Sequence, residues 1–594
     1  MLWILNIALA ASSCEVEFKY FLDQDLRPRV SLFLSGQRGL DSLGGYEDCI
    51  NKQNSTYELV QWFDKGFLYT SYGACLPSEC NQQELRQILS SYATELIPSF
   101  NHTLDTIEFS KTTEAYRPEK FFFLGCFLVL IVLNIISTLF QKFFASDGKI
   151  ACFNVLSNIK GLFDLSRASE NLDVIDGIRS LCSFGIVLLH CEYFIMFLPV
   201  ENRFEYLDRI DKFYFHLIYS LVYCVDCFFY LAGFLMAYLS VKEIQEKGDK
   251  FRWSLHIMRR IIRYLPAYLF LIGFERSLPT RYPDSIRPLL FRFFHRYNQS
   301  PWWSALIFIQ NFTSDKTIIY LGWTWTICVD FQFFIISSLI LYLYSKNKTY
   351  GYLFAFIIVS LSFVITFTVS YLYEVNVSIR RFAYDEFQMN LVYFKPWTRI
   401  APYILGVVLG LIYGSNKKKT VSVAYSVKDS FGEMFEKKCL SLSKNQNLRK
   451  IFFFNGFLLI ISIVLLNFCF TKYLENSSGQ IIKSFFTTFH RFFIILGLSF
   501  IVFPAKLGYF TFFGNILKIK VFRITGKLSY SLYLIHMFMI IFNLQGDDDV
   551  LVYGTEFIIK FVIKIYILGL IVSVFIYVLI ESPFLKLEKK IITR

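Results

Sequence analysis

Eleven stretches of this chain are apolar for long enough to cross a hydrocarbon layer: 121–143, 175–198, 215–240, 257–273, 322–344, 351–373, 397–414, 451–470, 484–504, 528–545 and 557–580. That repeated length limits the fold more than any single motif does. About 20 apolar residues in an α-helix span the core of a bilayer, with every backbone polar group satisfied inside the segment. The 594 residues are 55% hydrophobic and 18% charged, with 68 Phe and 37 Tyr, whereas a soluble domain averages about 25% charged. Soluble cores stop growing near ~250–300 residues, so the excess apolar surface belongs in lipid. The expected fold is an all-α polytopic membrane protein of about eleven transmembrane helices. A soluble enzyme, a disordered scaffold and a disulfide-dense mini-domain are excluded. The net charge, 60 − 47 = +13, is first a topology signal, and no nucleic-acid partner is expected.

A different kind of chain precedes these runs. Residues 1–13 are short and apolar and end in small residues, with Ala8-Leu9-Ala10 and Ala10-Ala11-Ser12 resembling a cleavage site. They read as a signal peptide, with an uncleaved anchor as the alternative, and either places residues 14–120 on the non-cytosolic side. Those residues are polar and carry Cys14, Cys49, Cys75 and Cys80. Four thiols in an exported segment suggest two disulfides, with three connectivities open. Asn54-Ser55-Thr56 and Asn101-His102-Thr103 are glycosylation sequons consistent with a lumenal or extracellular glycoprotein domain. The remaining cysteines lie mostly in apolar runs, where small buried thiols are ordinary. Cys224-Val-Asp-Cys227 has no second ligand pair nearby, so no metal site is expected.

Loop charge orients the spans. With 14–120 outside, 121–143 is the first transmembrane helix, 144–171 a cytosolic linker, and 172–594 the transmembrane domain. Loop 415–450 then faces the cytosol, with nine basic residues against Asp429, Glu433 and Glu436. Loop 505–527 carries Lys506, Lys518, Lys520, Arg523 and Lys527 and no acid, while loop 546–556 on the other side carries Asp547, Asp548, Asp549 and Glu556 and no base. The carboxy terminus is basic and cytosolic. Loop 274–300 runs against the pattern with several arginines. A full span at Trp302–Phe312 would invert every later side, so that stretch reads as re-entrant or interfacial. The chain is thus expected to be a multi-pass protein of the endomembrane system or plasma membrane.

Ionisable groups within spans are costly and point to function. Arg179 and His190 lie eleven residues apart in the second span, which puts them on one helix face about 16 Å apart. Histidine suits proton transfer near neutrality, so His190 is a candidate general base with a cation beneath it. The competing reading is a snorkelling arginine and a histidine bonded to a neighbouring helix. Arg260 and Arg263 are neighbours at the start of the fourth span, able with Arg179 to hold phosphates, although basic residues also collect at cytosolic helix ends for topological reasons. Asp330 lies inside the fifth span behind Trp323 and Trp325, placed to orient a histidine or an acceptor hydroxyl, or to partner an arginine. Ser529, Tyr533 and His536 share related faces of the tenth span, and His536 is the rival to His190 as base.

Together these residues resemble the acyltransferase-3 family of integral membrane acyltransferases, and more closely its nose-resistant-to-fluoxetine (NRF) branch. The exported match is Tyr46-Glu-Asp-Cys49 with Tyr72-Gly-Ala-Cys75-Leu-Pro-Ser-Glu-Cys80. The membrane match runs from Leu172-Asp-Val-Ile-Asp176-Gly177-Ile-Arg179 to Glu581-Ser-Pro583, by way of Asp226–Gly233, Trp302-Trp303, Trp323–Gln332, Pro396–Tyr403 and Ser529–His536.

The resemblance implies transfer of an acyl group, often acetyl, from acyl-coenzyme A to a hydroxyl of a carbohydrate or lipid-like acceptor. It implies His190 as general base in an arginine–ten residues–histidine signature with Arg179. It also implies Arg260 and Arg263 as contacts for the coenzyme on the cytosolic side, with Asp330 in the acidic motif where many bacterial members have Glu. Acyl-coenzyme A is then a co-substrate, with membrane lipid and a hydroxyl acceptor as partners and no metal. A non-catalytic lipid or small-molecule carrier on the same fold is the alternative function.

Overall fold

The computed structural model describes residues 55–64, 67–77 and 103–109 ahead of the membrane region and most of the chain from 119 onward. The exceptions after 119 are 144–147, 165–172, 196–199, 201, 211, 279–300, 314–318, 378–387, 416–430, 475–478, 507–510, 545–550 and 593–594. The proposed signal peptide, the two sequon asparagines, and Cys14, Cys49 and Cys80 lie outside the described residues.

The three described segments ahead of the membrane region form an antiparallel sheet: β1 (Ser55–Asp64), β2 (Phe67–Pro77) and β3 (Thr103–Phe109), in the order β2-β1-β3. Tyr57 pairs with Cys75 on one side and with Phe109 on the other, and the β1–β2 register shifts between Trp62 and Phe63. The strands are rich in Thr, Tyr, Val, Phe and Trp, which suit a pleated surface. From sequence this segment reads only as a cysteine-bearing polar domain, and the sheet is an addition to that reading.

From 119 the described chain is helical. The principal helices are α1 (Glu119–Phe143), α2 (Val155–Phe163), α3 (Asp173–Ile195), α4 (Tyr223–Lys247), α5 (Trp253–Ser277), α6 (Trp325–Lys346) and α7 (Lys348–Leu372). They continue with α8 (Ile400–Gly414), α9 (Phe431–Lys444), α10 (Gln446–Cys469), α11 (Gln480–Lys506), α12 (Lys520–Leu544), α13 (Thr555–Ile576) and α14 (Ser582–Ile592). Among the described residues, nine helical stretches are long and apolar enough to cross a membrane, two fewer than the eleven runs read from sequence. The other two runs are helices of a different kind. α5 carries Arg259, Arg260, Arg263, Glu275 and Arg276, and α8 is only 15 residues long. The Trp302–Phe312 stretch forms two single-turn helices, Trp303–Leu306 and Gln310–Thr313, too short for a span.

α1 lies at the margin with Phe121, Phe122 and Leu128 exposed, whereas α12 is enclosed. Without a hydrophobic drive between helices in lipid, close backbone approach through small residues holds such bundles together. α8 meets α4 in this way. A Cβ on Gly406 would sit 2.1 Å from the Tyr230 carbonyl oxygen, and one on Gly410 2.5 Å from that of Phe234. α2 is fixed at both ends. Asn154 accepts from the Ser157 amide at its start, and the Lys527 ammonium donates to the carbonyls of Leu162 and Asp164 at its end, both at 3.0 Å. Between α13 and α14 the helix widens into a π-turn, Tyr577–Glu581, whose Val578 carbonyl accepts from Asn158 of α2.

Candidate active site

Seven elements converge on a cavity of about 300 Å³. α3 supplies Asp176, Arg179 and Ile186, α5 supplies Arg263 and Tyr264, and α6 supplies Thr326, Ile327 and Asp330. α12 adds Lys527, Ser529, Tyr530 and Tyr533, while the π-turn adds Tyr577 and Glu581 and α14 adds Leu585. The opposite wall is apolar: Val225, Phe228, Phe229 and Ala232 of α4. One side thus carries Arg179, Arg263 and Lys527 together with Asp176, Asp330 and Glu581, and the other is apolar.

The cations are held differently. Arg179 has only a long contact to Asp176, at 3.7 Å. Arg263 is exposed to the cavity. Lys527 spends its donors on the end of α2. Arg260, expected to clamp phosphate together with Arg263, instead meets Asp330 at 2.5 Å and stacks over the Tyr264 ring, whose hydroxyl also donates to Asp330 at 2.7 Å. A guanidinium at this depth is costly without a counter-charge, and three residues along the helix rotate it away from Arg263 toward α6. Asp330 therefore serves Arg260, and it orients neither histidine.

The two candidate bases lie against each other. His190 Nδ1 is 2.9 Å from His536 Nε2, with ring centroids 5.0 Å apart and planes 24° from parallel. His536 Nδ1 is 2.7 Å from the Tyr533 carbonyl oxygen. His536 is wholly enclosed and His190 half-buried. In sequence these histidines are alternatives; in the fold they form one unit.

Neither ring lines the cavity. Ile186, four residues before His190 and so one helical turn away on the same face, does. Tyr533 lines the cavity; its hydroxyl meets Thr326 Oγ1 at 2.6 Å and donates to the Trp323 carbonyl, while its own carbonyl holds His536. One residue thus borders both the cavity and the histidine pair.

Two groups escape the sequence reading as site residues. Glu581 is buried, accepts from Ser531 at 2.8 Å and lines the cavity. A carboxylate in an apolar run is the available signal. Away from the cavity, Asp226 binds Arg399 at 3.1 Å and Arg491 at 2.8 Å in an enclosed cluster, of which the sequence shows only separate motif fragments. Among the described residues no His, Cys, Asp and Glu cluster is suited to a metal. Cys182, Cys224 and Cys227 are free thiols.

The sequence profile of the acyltransferase-3 family, described as an acyltransferase domain, matches residues 172–580. Among curated proteins the chain is 23% identical to nose resistant to fluoxetine protein 6 of Caenorhabditis elegans, with 89% of this chain and 68% of that protein covered. No solved structure matches.

Proposed function

The chain belongs to the acyltransferase-3 family, and from that premise we propose that it is a membrane O-acyltransferase using acyl-coenzyme A. Arg179 and Arg263 receive the coenzyme's phosphates at the cytosolic mouth, where guanidinium groups bind phosphate oxygens through charge-assisted hydrogen bonds. The pantetheine arm runs between the tyrosine-lined wall and α4, carrying the thioester toward His190. The imidazole takes the proton of an acceptor hydroxyl of a carbohydrate or lipid-like molecule as its oxygen attacks the thioester carbon. The tetrahedral intermediate then expels the coenzyme's sulfur, which leaves with that proton.

A single observation carries this reading: Arg179, Arg263 and Lys527 line one cavity, and His190 lies on the helix face of Arg179, one turn past the cavity-lining Ile186. The experiment is a thermal-shift titration of the purified protein with acetyl- and longer acyl-coenzyme A, followed by coenzyme A release. Arg263→Ala should weaken binding, and His190→Ala should keep binding and lose turnover.

A carrier that binds a lipid or small molecule without transferring it is the second reading, favoured by the separation of His190 from the cavity. Binding of acyl-coenzyme A with no thioester consumption by the wild-type protein would select it. In either case we place residues 14–120 in the lumen or outside the cell, with disulfides among Cys14, Cys49, Cys75 and Cys80. Non-reducing mass spectrometry finding four free thiols there would reject that placement.

A further inference from the structure

The contacts of His536 determine which nitrogen of His190 is basic. The Tyr533 carbonyl can only accept, so His536 Nδ1, 2.7 Å away, carries the hydrogen. In a neutral imidazole the other nitrogen is then a bare acceptor. That acceptor, His536 Nε2, lies 2.9 Å from His190 Nδ1, which must therefore donate to it. The lone pair of neutral His190 is left on Nε2, the far side of a half-buried ring, where no hydrogen bond is made to the described residues. The same bond survives proton uptake, because the His190 imidazolium still donates from Nδ1.

We propose that His536 is a positioning residue: anchored to the Tyr533 carbonyl, it fixes His190 as the Nδ1–H tautomer and aims Nε2 as the base. This rests on the acyl-transfer reading for its chemistry and on the hydrogen-bond chain for its geometry. In the step it serves, the acceptor O–H proton passes to His190 Nε2 as the new O–C bond forms. The C–S bond then breaks, and the thiolate recovers the proton from Nε2. The arrangement assigns different tasks to two histidines that in sequence are rivals for one. It uses a neutral ring where a carboxylate orients the histidine of a serine-protease triad.

The test compares full-length wild type with His536→Gln, His536→Phe and His190→Gln in lipid nanodiscs. A glutamine can present an amide oxygen near the position of the lost Nε2, while phenylalanine keeps the bulk without an acceptor. With acetyl-coenzyme A as probe, a mixed lipid and glycan extract supplying the acceptor hydroxyl and free coenzyme A release as readout, His536→Phe should lower kcat about 100-fold with KM unchanged, and His536→Gln should recover to within about 10-fold of wild type. His190→Gln should lose turnover altogether. Nitrogen-15 spectra of histidine-labelled protein, assigned by difference from His190→Gln, report the tautomer whether or not the chain turns over. They should show the hydrogen on His190 Nδ1 in wild type and on Nε2 in His536→Phe.

A wild-type His190 with its hydrogen on Nε2 overturns the proposal, as does His536→Phe turning over within threefold of wild type. His536→Gln as inactive as His190→Gln would make His536 a proton carrier and overturns it too. A wild type that shows the Nδ1–H tautomer but consumes no thioester of any chain length defeats the acyl-transfer reading and leaves the tautomer assignment standing.

Discussion

Arg260 and Asp330 meet at 2.5 Å, and this pairing separates two guanidiniums that sequence spacing places together: Arg260 is committed to α6 while Arg263 lines the cavity. Both members of the pair are largely buried, so removing one strands the other's charge, a loss of about 3–5 kcal/mol. Asp330→Asn should therefore lower the unfolding midpoint in detergent more than Arg263→Ala does, whereas Arg263→Ala should weaken coenzyme A binding more. A double-mutant cycle on Arg260 and Asp330 isolates the pair term. Additive single losses would show that the two side chains are not coupled.

The Asp226 cluster should be more sensitive still. Its carboxylate holds two guanidiniums, Arg399 and Arg491, and both Asp226 and Arg399 are fully enclosed. Asp226→Asn leaves the buried Arg399 and the half-buried Arg491 without a counter-charge, and the yield of monodisperse protein on size-exclusion chromatography should collapse. Recovery of normal yield with Asp226→Asn would remove the cluster from the account of stability.

The α4–α8 contact predicts a steric limit. Gly406→Ala places a methyl group where the Tyr230 carbonyl oxygen already sits, at 2.1 Å, and backbone on both sides must shift. A loss of about 1–3 kcal/mol is expected from such overpacking, read as a lower melting temperature. Gly125→Ala, at a glycine with open space around it, is the control and should melt as wild type does.

Tyr533 borders both the cavity and the histidine pair. Tyr533→Phe removes the hydroxyl bonds to Thr326 and to the Trp323 carbonyl while keeping the backbone carbonyl that anchors His536. A net hydrogen bond is worth about 0.5–1.5 kcal/mol, so the melting temperature should fall while the His536 anchor and turnover stay within a few-fold of wild type. A larger fall in kcat would mean that the hydroxyl itself touches the reacting groups.

Much of the membrane architecture is legible in the sequence because span length is a one-dimensional property: a run of apolar residues shows its own reach. The intramembrane Arg179, His190, Asp330 and His536 are legible for a related reason, since each is costly where it stands. Their partners are not. Which way α5 turns Arg260 depends on α6, 70 residues away, and the meeting of His190 with His536 crosses 346 positions of chain. Helical periodicity gives a face, and only packing decides what that face meets. Glu581 is hidden for another reason: the π-turn that carries it into the cavity shifts the helix phase, which a regular 3.6-residue repeat does not anticipate. The β1–β2 pairing is easily overlooked beside the cysteines, although only Lys65 and Gly66 separate its strands in sequence, a spacing typical of hairpins.

The most direct measurement is coenzyme A release from acetyl-coenzyme A by purified wild-type protein and by His190→Gln, with a mixed lipid and glycan extract supplying the acceptor hydroxyl and donor affinity determined on the same samples. Wild type should consume the thioester, and the variant should bind the donor equally well and leave it intact. Equal turnover by the two proteins, or none by wild type with any acyl chain, would contradict the assignment of this imidazole as the base of an acyl transfer.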